Sequence, residues 1–231
     1  MKPSNFEILA CEDTPLGLAC LRRRELLSRP GVFVTEMTLN HEFVMSSHVT
    51  TSERALARRA LEVHQGSALR VLVGGLGLGY TAQEALVSDR VAQVEVVEYL
   101  PQVIGWFDQG LVPLADELKA DSRLTVVAGD IYRRLAAPAE QIHDLILIDV
   151  DHSPVEPLGH PHGSFYTDAG LGRAKDHLAD AGVLAVWSYD HDPPFADTLR
   201  RVFPDVRVHP ITVVNDLVQE EQTDWLFLAR K

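Results

Sequence analysis

Short apolar segments alternate with predicted helices from residue 69 onward, and this alternation constrains the fold more than any other feature. The apolar segments cover residues 69–73, 94–98, 124–128, 144–149 and 183–188. Helices are expected near 81–87, 101–109, after Asp130, and near 168–178 and 194–203. Nearly continuous apolar strands separated by helices are typical of α/β proteins with a doubly wound, mostly parallel sheet. Two last segments, 206–213 and 225–229, have no clear helix between them and predict an antiparallel hairpin at the sheet edge.

The first 50 residues follow a different pattern. Turn residues such as Pro30-Gly31 and Asn40-His41 separate short β-rich segments at 6–11, 18–22, 32–39 and 42–45. So few strands bury little area by themselves. We therefore expect residues 1–50 to form a small antiparallel β cap on a main domain of residues 51–231, which begins with a helix near 51–64.

Charge and composition restrict the partners. The net charge of −12 argues against a nucleic acid, because the chain has no basic surplus to neutralise phosphates. The basic run Arg22-Arg23-Arg24 is interpreted as a solvated strand end. No apolar segment approaches the ~20 residues of a membrane span, and the first residues lack a signal peptide's apolar stretch. These features predict a cytoplasmic protein with no membrane partner, in which Cys11 and Cys20 are reduced thiols that could face each other across a hairpin.

Four successive strands of the predicted sheet end in a glycine turn or a carboxylate. The first runs into a glycine-rich turn before a helix, where the backbone can approach a ligand closely; its glycines are Gly74, Gly75, Gly77 and Gly79. At the next strand end, Glu98 can accept hydrogen bonds from both ribose hydroxyls of a nucleoside. Asp130 could accept from an adenine amine, and Asp149 follows the fourth strand. The set favours an adenosyl-sulfonium ligand, with a dinucleotide as the main competitor because it shares the first two features.

These segments resemble the spermidine synthase-like branch of the class I S-adenosylmethionine-dependent methyltransferase superfamily. The resemblance is carried by residues 71–79, Val96-Val97-Glu98, Ala128-Gly129-Asp130, residues 144–149, Phe165-Tyr166-Thr167, residues 182–188 and Trp225-Leu226-Phe227, and it extends to the N-terminal cap. It implies a seven-stranded sheet and a homodimer. It also implies that Glu98 holds the ribose and that Asp130 and its neighbour Ile131 hold the adenine.

Two departures from that family bear on the donor. Aminopropyltransferases carry an aspartate for the donor's ammonium group in a Gly-Gly-Gly-Asp-Gly-Gly loop, and this position falls on Leu78, with the final glycine on Tyr80. A leucine facing an ammonium group would leave the charge poorly solvated. The family's Asp-Ser-Thr-Asp-Pro type of segment is altered here to Asp149-Val150-Asp151-His152-Ser153-Pro154.

The candidate catalytic residues follow the fourth strand. Asp149 lies where the family's proton acceptor lies, and Asp151 and His152 are close to it in sequence. His160 and His162 belong to the same Pro- and Gly-rich stretch, which we interpret as a lid over the acceptor rather than as a metal site. The residues expected to line the acceptor pocket are Tyr80, Tyr166, Trp187, Tyr189 and Asp190, with His48 close by.

The sequence therefore predicts a transferase with an adenosyl-sulfonium donor. Because of Leu78, methyl transfer from S-adenosylmethionine to a small-molecule acceptor, possibly an amine, is favoured. The alternatives are aminopropyl transfer from decarboxylated S-adenosylmethionine to a polyamine, and a catalytically silent nucleoside-binding protein. A dinucleotide-dependent oxidoreductase ranks fourth.

Overall fold

The structure is a computed structural model, and it describes residues 5–150, 154, 164–215 and 220–231. The chain begins with a four-stranded antiparallel sheet in the order β1-β2-β3-β4. Its strands are β1 (Phe6–Thr14), β2 (Gly17–Leu26), β3 (Arg29–Leu39) and β4 (Glu42–Ser46). Helix α1 (Thr51–Val63) follows. The expected N-terminal β structure is confirmed.

The β1–β2 hairpin corrects the prediction of reduced thiols. Its register places Cys11 directly opposite Cys20, with their Cα atoms 4.1 Å apart, and the structure joins them in a disulfide. The prediction of reduced thiols was wrong because it was based on the expected cellular compartment. It did not take into account the short distance between the two cysteines that the strand pairing produces. In the same sheet, Arg22 and Arg24 form ion pairs with Glu36, and Arg23 pairs with Glu7.

A second sheet of seven strands follows α1, in the order β10-β11-β9-β8-β5-β6-β7. The pairs among β5 to β9 are parallel, whereas β11 runs antiparallel to β9 and β10. The elements are β5 (Leu69–Gly74), α2 (Tyr80–Val87), β6 (Val91–Glu98), α3 (Pro101–Asp108), α4 (Ala115–Ala120), β7 (Leu124–Ala128), α5 (Ile131–Ala136), β8 (His143–Ile148), α6 (Asp168–Asp176), β9 (Leu178–Ser188), α7 (Pro193–Val202), β10 (Asp205–Asn215) and β11 (Glu220–Arg230). This arrangement confirms the doubly wound, mostly parallel sheet and the antiparallel edge hairpin.

Helices cover both faces of the larger sheet, which explains its apolar central strands. Helices α1 to α4 and the N-terminal sheet pack on one face, and α5 to α7 pack on the other. Consequently Val71, Leu72 and Val73 are all buried although they point to alternate sides of β5. The sequence did not predict α4, a six-residue helix that begins without a side-chain cap, whereas α5 has the same length but follows the capping residue Asp130. In the part of the chain that the structure describes, no helix has the length and apolarity needed to span a membrane.

Candidate functional site

A cavity lies where the carboxyl ends of β5, β6, β7 and β8 meet the N-terminal sheet. Its first chamber, which is open to solvent, contains about 790 Å³ of space, and Gly75, Glu98, Asp130 and Asp149 are among its walls. The N-terminal sheet supplies the opposite wall, through Leu16, Met37, Leu39, Val44 and Met45. Open α/β sheets bind ligands at this edge, so the structure brings the predicted strand-end residues into one ligand-sized space.

The glycine loop between β5 and α2 is held tightly against the end of β8. Gly75 has φ +92°, and a Cβ at this position would lie 2.4 Å from the backbone oxygen of Asp149. The Gly75 N–H donates to the Val97 oxygen (2.9 Å), and the Asp149 N–H donates to the Gly74 oxygen (3.0 Å). A glycine is therefore needed at 75 for both the backbone angle and the close approach.

The other predicted glycines occupy different surroundings. Gly77 lines the first chamber together with Gly75, and it faces the Met45 sulfur. Gly74 packs against Ile131, and Gly79 packs against Leu118 as the residue that precedes α2. The loop thus presents Gly75 and Gly77 to the chamber. Gly74 and Gly79 have no side chain and so allow Ile131 and Leu118 to pack closely against the loop.

Glu98, the last residue of β6, links the glycine loop to the start of α3. Its Oε2 accepts the Leu76 N–H at 2.7 Å, and its Oε1 accepts the Leu100 N–H at 2.8 Å. Burial raises the pKa of Glu98, and the backbone N–H donors partly oppose that rise. The backbone N–H groups of Gly77 and Tyr99 also act on this carboxylate, which is therefore held firmly in the wall of the first chamber.

Asp130 is the N-cap of α5. Its Oδ1 accepts the Tyr132 N–H (2.9 Å) and the Arg133 N–H (3.1 Å). Among the described residues, both of these bonds use the same oxygen, which leaves Oδ2 for a ligand. The adjacent Ile131 is buried and lines the chamber. The cap therefore fixes a carboxylate beside an apolar wall, a setting suited to a flat base with an exocyclic amine.

A second chamber extends from the first past Asp149. Its walls include Glu53, Tyr80, Thr81, Asp149 and Trp187, and it shares Met45, Gly75, Gly77 and Asp149 with the first chamber. The Thr81 hydroxyl donates to Asp149 Oδ2 at 2.5 Å. Burial raises the pKa of Asp149 to about 6, the Thr81 hydrogen bond opposes the rise, and the charge of Asp224 adds to it. A carboxyl group with this pKa can exchange a proton near neutral pH.

A third chamber follows, with Glu53 and Trp187 common to it and the second. His48, Tyr189 and Asp224 are further walls. Asp224 is 4% exposed and accepts a hydrogen bond from the Gln222 side chain at 3.0 Å. Burial, followed by the charge of Asp149, raises the pKa of Glu53 to about 8. Three carboxyl groups from distant parts of the chain thus come together along one continuous cavity.

The predicted acceptor residues separate into two groups. Tyr80 and Trp187 line the second chamber, and Trp187 and Tyr189 line the third, where His48 is also found. Tyr166 instead lies in an aromatic cluster on the opposite face of the sheet, with its hydroxyl 2.8 Å from that of Tyr132.

Asp190 also lies away from the described walls. It follows β9 on the surface, where its backbone is bonded to the Ser188 hydroxyl. The predicted catalytic residues Asp151 and His152, and the lid containing His160 and His162, fall outside the residues that the structure describes.

Sequence reasoning missed Glu53 and Asp224. Glu53 lies in the first turn of α1, where an acidic residue is common for the helix dipole alone. Asp224 precedes the half-buried Trp225 and the buried Leu226 and Phe227, and its own burial is visible only in the folded chain. For Asp224, the available sequence signal was an acidic residue directly before an apolar strand segment.

Comparisons with known proteins bear on the sequence and on the fold. No family model matches the sequence. Polyamine aminopropyltransferase 2 of Streptomyces coelicolor is 31% identical over 123 residues, a match that covers 52% of this chain and 22% of that protein.

Two solved structures share the fold. A spermidine synthase in complex with the transition-state analogue AdoDATO matches 97% of this chain and 73% of its own, with a TM-score of 0.76 and 18% identity. The spermidine synthase of Thermotoga maritima matches 97% of this chain and 72% of its own, with a TM-score of 0.73 and 18% identity. The chain therefore has the fold of the spermidine synthases, and about half of its sequence is related to a polyamine aminopropyltransferase, which confirms the resemblance to the spermidine synthase-like branch.

Proposed function

We propose that the protein is an aminopropyltransferase that moves the aminopropyl group of decarboxylated S-adenosylmethionine to an amine of a polyamine-type acceptor. The observation that carries this proposal is the charge of the cavity beyond the glycine loop. Carboxyl groups of Glu53, Asp149 and Asp224 line it. Among the described residues that line the first two chambers, none is a lysine, arginine or histidine.

The lining favours a donor without a carboxylate. With the nucleoside in the first chamber, Glu98 would accept from the ribose hydroxyls and Asp130 from the adenine amine. The tail would then enter the second chamber, beside Asp149 and Glu53. The carboxylate of S-adenosylmethionine would meet the negative charge of Asp149 there, would oppose ionisation of Glu53, and would find no basic side chain among the described walls. The decarboxylated donor presents only positive charges, which favour the ionised form of both carboxyl groups.

The reaction is a displacement at the carbon bonded to the sulfonium sulfur. The neutral acceptor nitrogen forms a bond to this carbon, the C–S bond breaks, and its electron pair neutralises the sulfur to leave methylthioadenosine. The nitrogen then carries a surplus proton, for which Asp149 is the acceptor. Alignment of the two reactants can contribute ~7–11 kcal/mol, and a positioned base ~10²–10⁴-fold in rate.

The third chamber suits an acceptor with a second cationic group. Asp224 is a buried carboxyl group there, and the aromatic rings of Trp187 and Tyr189 offer surfaces for the methylene chain and for cation–π contact. Glu36 also lines this chamber, but Arg22 and Arg24 neutralise it. A diamine or polyamine could place one nitrogen beside Asp149 and another beside Asp224.

Methyl transfer, which the sequence favoured, keeps one supporting observation. Leu78 is fully buried, so the glycine loop presents no carboxylate to the donor. However, Glu53 and Asp149 reach the adjoining chamber from other elements, and the relative and the two structural neighbours are named as aminopropyltransferases and spermidine synthases. The absent loop aspartate is therefore a weaker argument than it was in the sequence.

The test is the identity of the nucleoside product. Purified protein is incubated with diamines and polyamines and either decarboxylated S-adenosylmethionine or S-adenosylmethionine, and products are identified by mass spectrometry. Methylthioadenosine together with an elongated amine is the expected result. S-adenosylhomocysteine formed from S-adenosylmethionine would favour methyl transfer instead. Binding of methylthioadenosine without turnover of either donor would indicate a silent nucleoside-binding protein.

A further inference from the structure

The glycine loop leaves the donor's ammonium group without its expected partner. Leu78, at the position of the family's aspartate, is fully buried and packs in the core cluster with α1 to α4. An ammonium group placed in a chamber without a countercharge would carry a large desolvation cost. Some other group must therefore meet it if the donor binds here.

Glu53 is the side chain placed to do this. It lines the second chamber, which adjoins the loop, and its backbone oxygen lies 3.3 Å from the Thr81 hydroxyl oxygen. This close contact places the first turn of α1 against α2, so Glu53 lies beside the loop. Its neighbour Arg54 is directed elsewhere, over the Tyr80 ring and toward Glu84.

The other carboxyl groups have different positions. Asp149 accepts the Thr81 hydroxyl and is placed to take the proton of the attacking amine. Asp224 lines the third chamber and, among the described walls, not the second. Of the three, Glu53 is the one in the second chamber that the reaction leaves unused.

We propose that the Glu53 carboxylate binds the primary ammonium group of the donor, in place of the aspartate that the glycine loop lacks, and so selects a cationic, decarboxylated donor. This inference rests on the proposed function. It assigns the role to a residue of α1, a helix outside the glycine loop.

The environment of Glu53 gives the proposal a distinctive signature. Its pKa of about 8 means that the free protein holds this carboxyl group mostly protonated at pH 7. An ammonium ligand favours the charged form, so its binding should release about 0.9 proton per site at pH 7. Asp149, with a pKa of about 6, is already mostly ionised at pH 7 and contributes little to the proton release. The titratable or charged groups around Glu53 on the neighbouring elements are His48, Arg54, Tyr80, Asp149 and Asp224.

The experiment is calorimetric titration at pH 7 in buffers of different ionisation enthalpy, with decarboxylated S-adenosylmethionine and with methylthioadenosine. Methylthioadenosine shares the nucleoside but has neither the sulfonium charge nor the ammonium group. For the native protein we expect proton release with the first ligand and none with the second. In Glu53→Gln, affinity for the decarboxylated donor should fall about 10- to 100-fold, proton release should disappear, and methylthioadenosine affinity should stay unchanged.

Glu62→Gln is the matched control, because Glu62 lies on the same helix but is exposed and paired with Arg59. It should behave as the native protein. Native-like donor affinity in Glu53→Gln would overturn the inference, as would an effect confined to the binding of the amine acceptor. If the native protein binds neither ligand, the proposed function itself fails. Methylthioadenosine binding therefore distinguishes a failure of the Glu53 inference, in which this ligand still binds, from a failure of the proposed function, in which it does not.

Discussion

At the scale of single residues, the proposed reaction depends most on Asp149. It lies at the junction of the first two chambers with a pKa near 6. Asp149→Asn keeps the shape and the Thr81 hydrogen bond but cannot take a proton. We expect kcat to fall by ~10²–10⁴-fold, with methylthioadenosine affinity retained. Steady-state kinetics and calorimetry test this, with the exposed Asp197→Asn as control; full turnover in Asp149→Asn would exclude its role as base.

Thr81 should act on the reaction through Asp149. Its hydroxyl proton favours the ionised carboxylate and thereby lowers the Asp149 pKa against the effect of burial. Thr81→Val removes that donor, so the pKa should rise further. The acidic limb of kcat, measured with saturating donor so that Glu53 is already ionised, should then lie at higher pH than in the native protein, whereas Thr81→Ser should restore the native profile. A Thr81→Val enzyme that is slower at every pH with an unshifted limb would contradict this role and leave Thr81 a packing residue.

At the scale of elements, the glycine loop contacts Asp149 closely and would also position the proposed ligand. In Gly75→Ala the methyl group would meet the Asp149 backbone oxygen at 2.4 Å, in a backbone conformation with φ +92°. We expect a loss of ~1–3 kcal/mol in stability and much weaker methylthioadenosine binding, because the loop must move away from β8. Thermal unfolding and calorimetry measure the two effects.

Gly172→Ala provides the comparison for this prediction. Gly172 lies inside α6, and an added Cβ there meets no atom within 4 Å. Alanine should stabilise the helix by about 0.5–1 kcal/mol and leave ligand binding unchanged. Normal binding by Gly75→Ala would show that the loop tolerates a side chain and that its described geometry is not required.

At the scale of the whole molecule, the cavity joins the N-terminal sheet to the larger sheet. Met45 lines all three chambers, and Trp106 of α3 donates to Glu12 of β1 at 2.6 Å. One core cluster contains Ala19 and Leu21 together with residues of α1. The predicted boundary near residue 50 therefore falls between two sheets that enclose a common site.

Overall stability should depend on pH through Glu53. Burial and the charge of Asp149 raise its pKa from the ordinary 4.5 to about 8 in the folded chain. The folded state thus holds a proton that the unfolded state releases, so the free energy of unfolding should decrease as pH rises from about 4.5 to about 8. Glu53→Gln lacks this contribution. Urea unfolding at pH 5 and pH 8.5 should show the variant gaining stability relative to the native protein at the higher pH; an equal difference at both values would rule out the raised pKa.

The sequence by itself determined the order of helices and strands and the residues at the strand ends. Apolar runs such as that of β5 are local signals, since a strand covered on both faces needs apolar residues at every position. The glycine loop and the strand-end residues Glu98, Asp130 and Asp149 are also local signals in the sequence. Their placement in one site could be predicted because parallel strands direct their carboxyl ends to one edge of the sheet. The resemblance to the spermidine synthases could be recognised for the same reason.

The tertiary structure alone decided which other side chains reach that edge. Glu53 and Asp224 come from a helix before the larger sheet and from its last strand, and no local pattern links them to Asp149. Their meeting depends on the strand order, which inserts β11 beside β9, and on the packing of α1 against β9 and β11. Tyr166 lies on the sheet's other face, with α5 to α7, a placement that the sequence did not indicate; its role in an acceptor pocket stays a prediction. The charge of the cavity is therefore a property of the packed elements, since burial and mutual repulsion set the pKa values of its carboxyl groups.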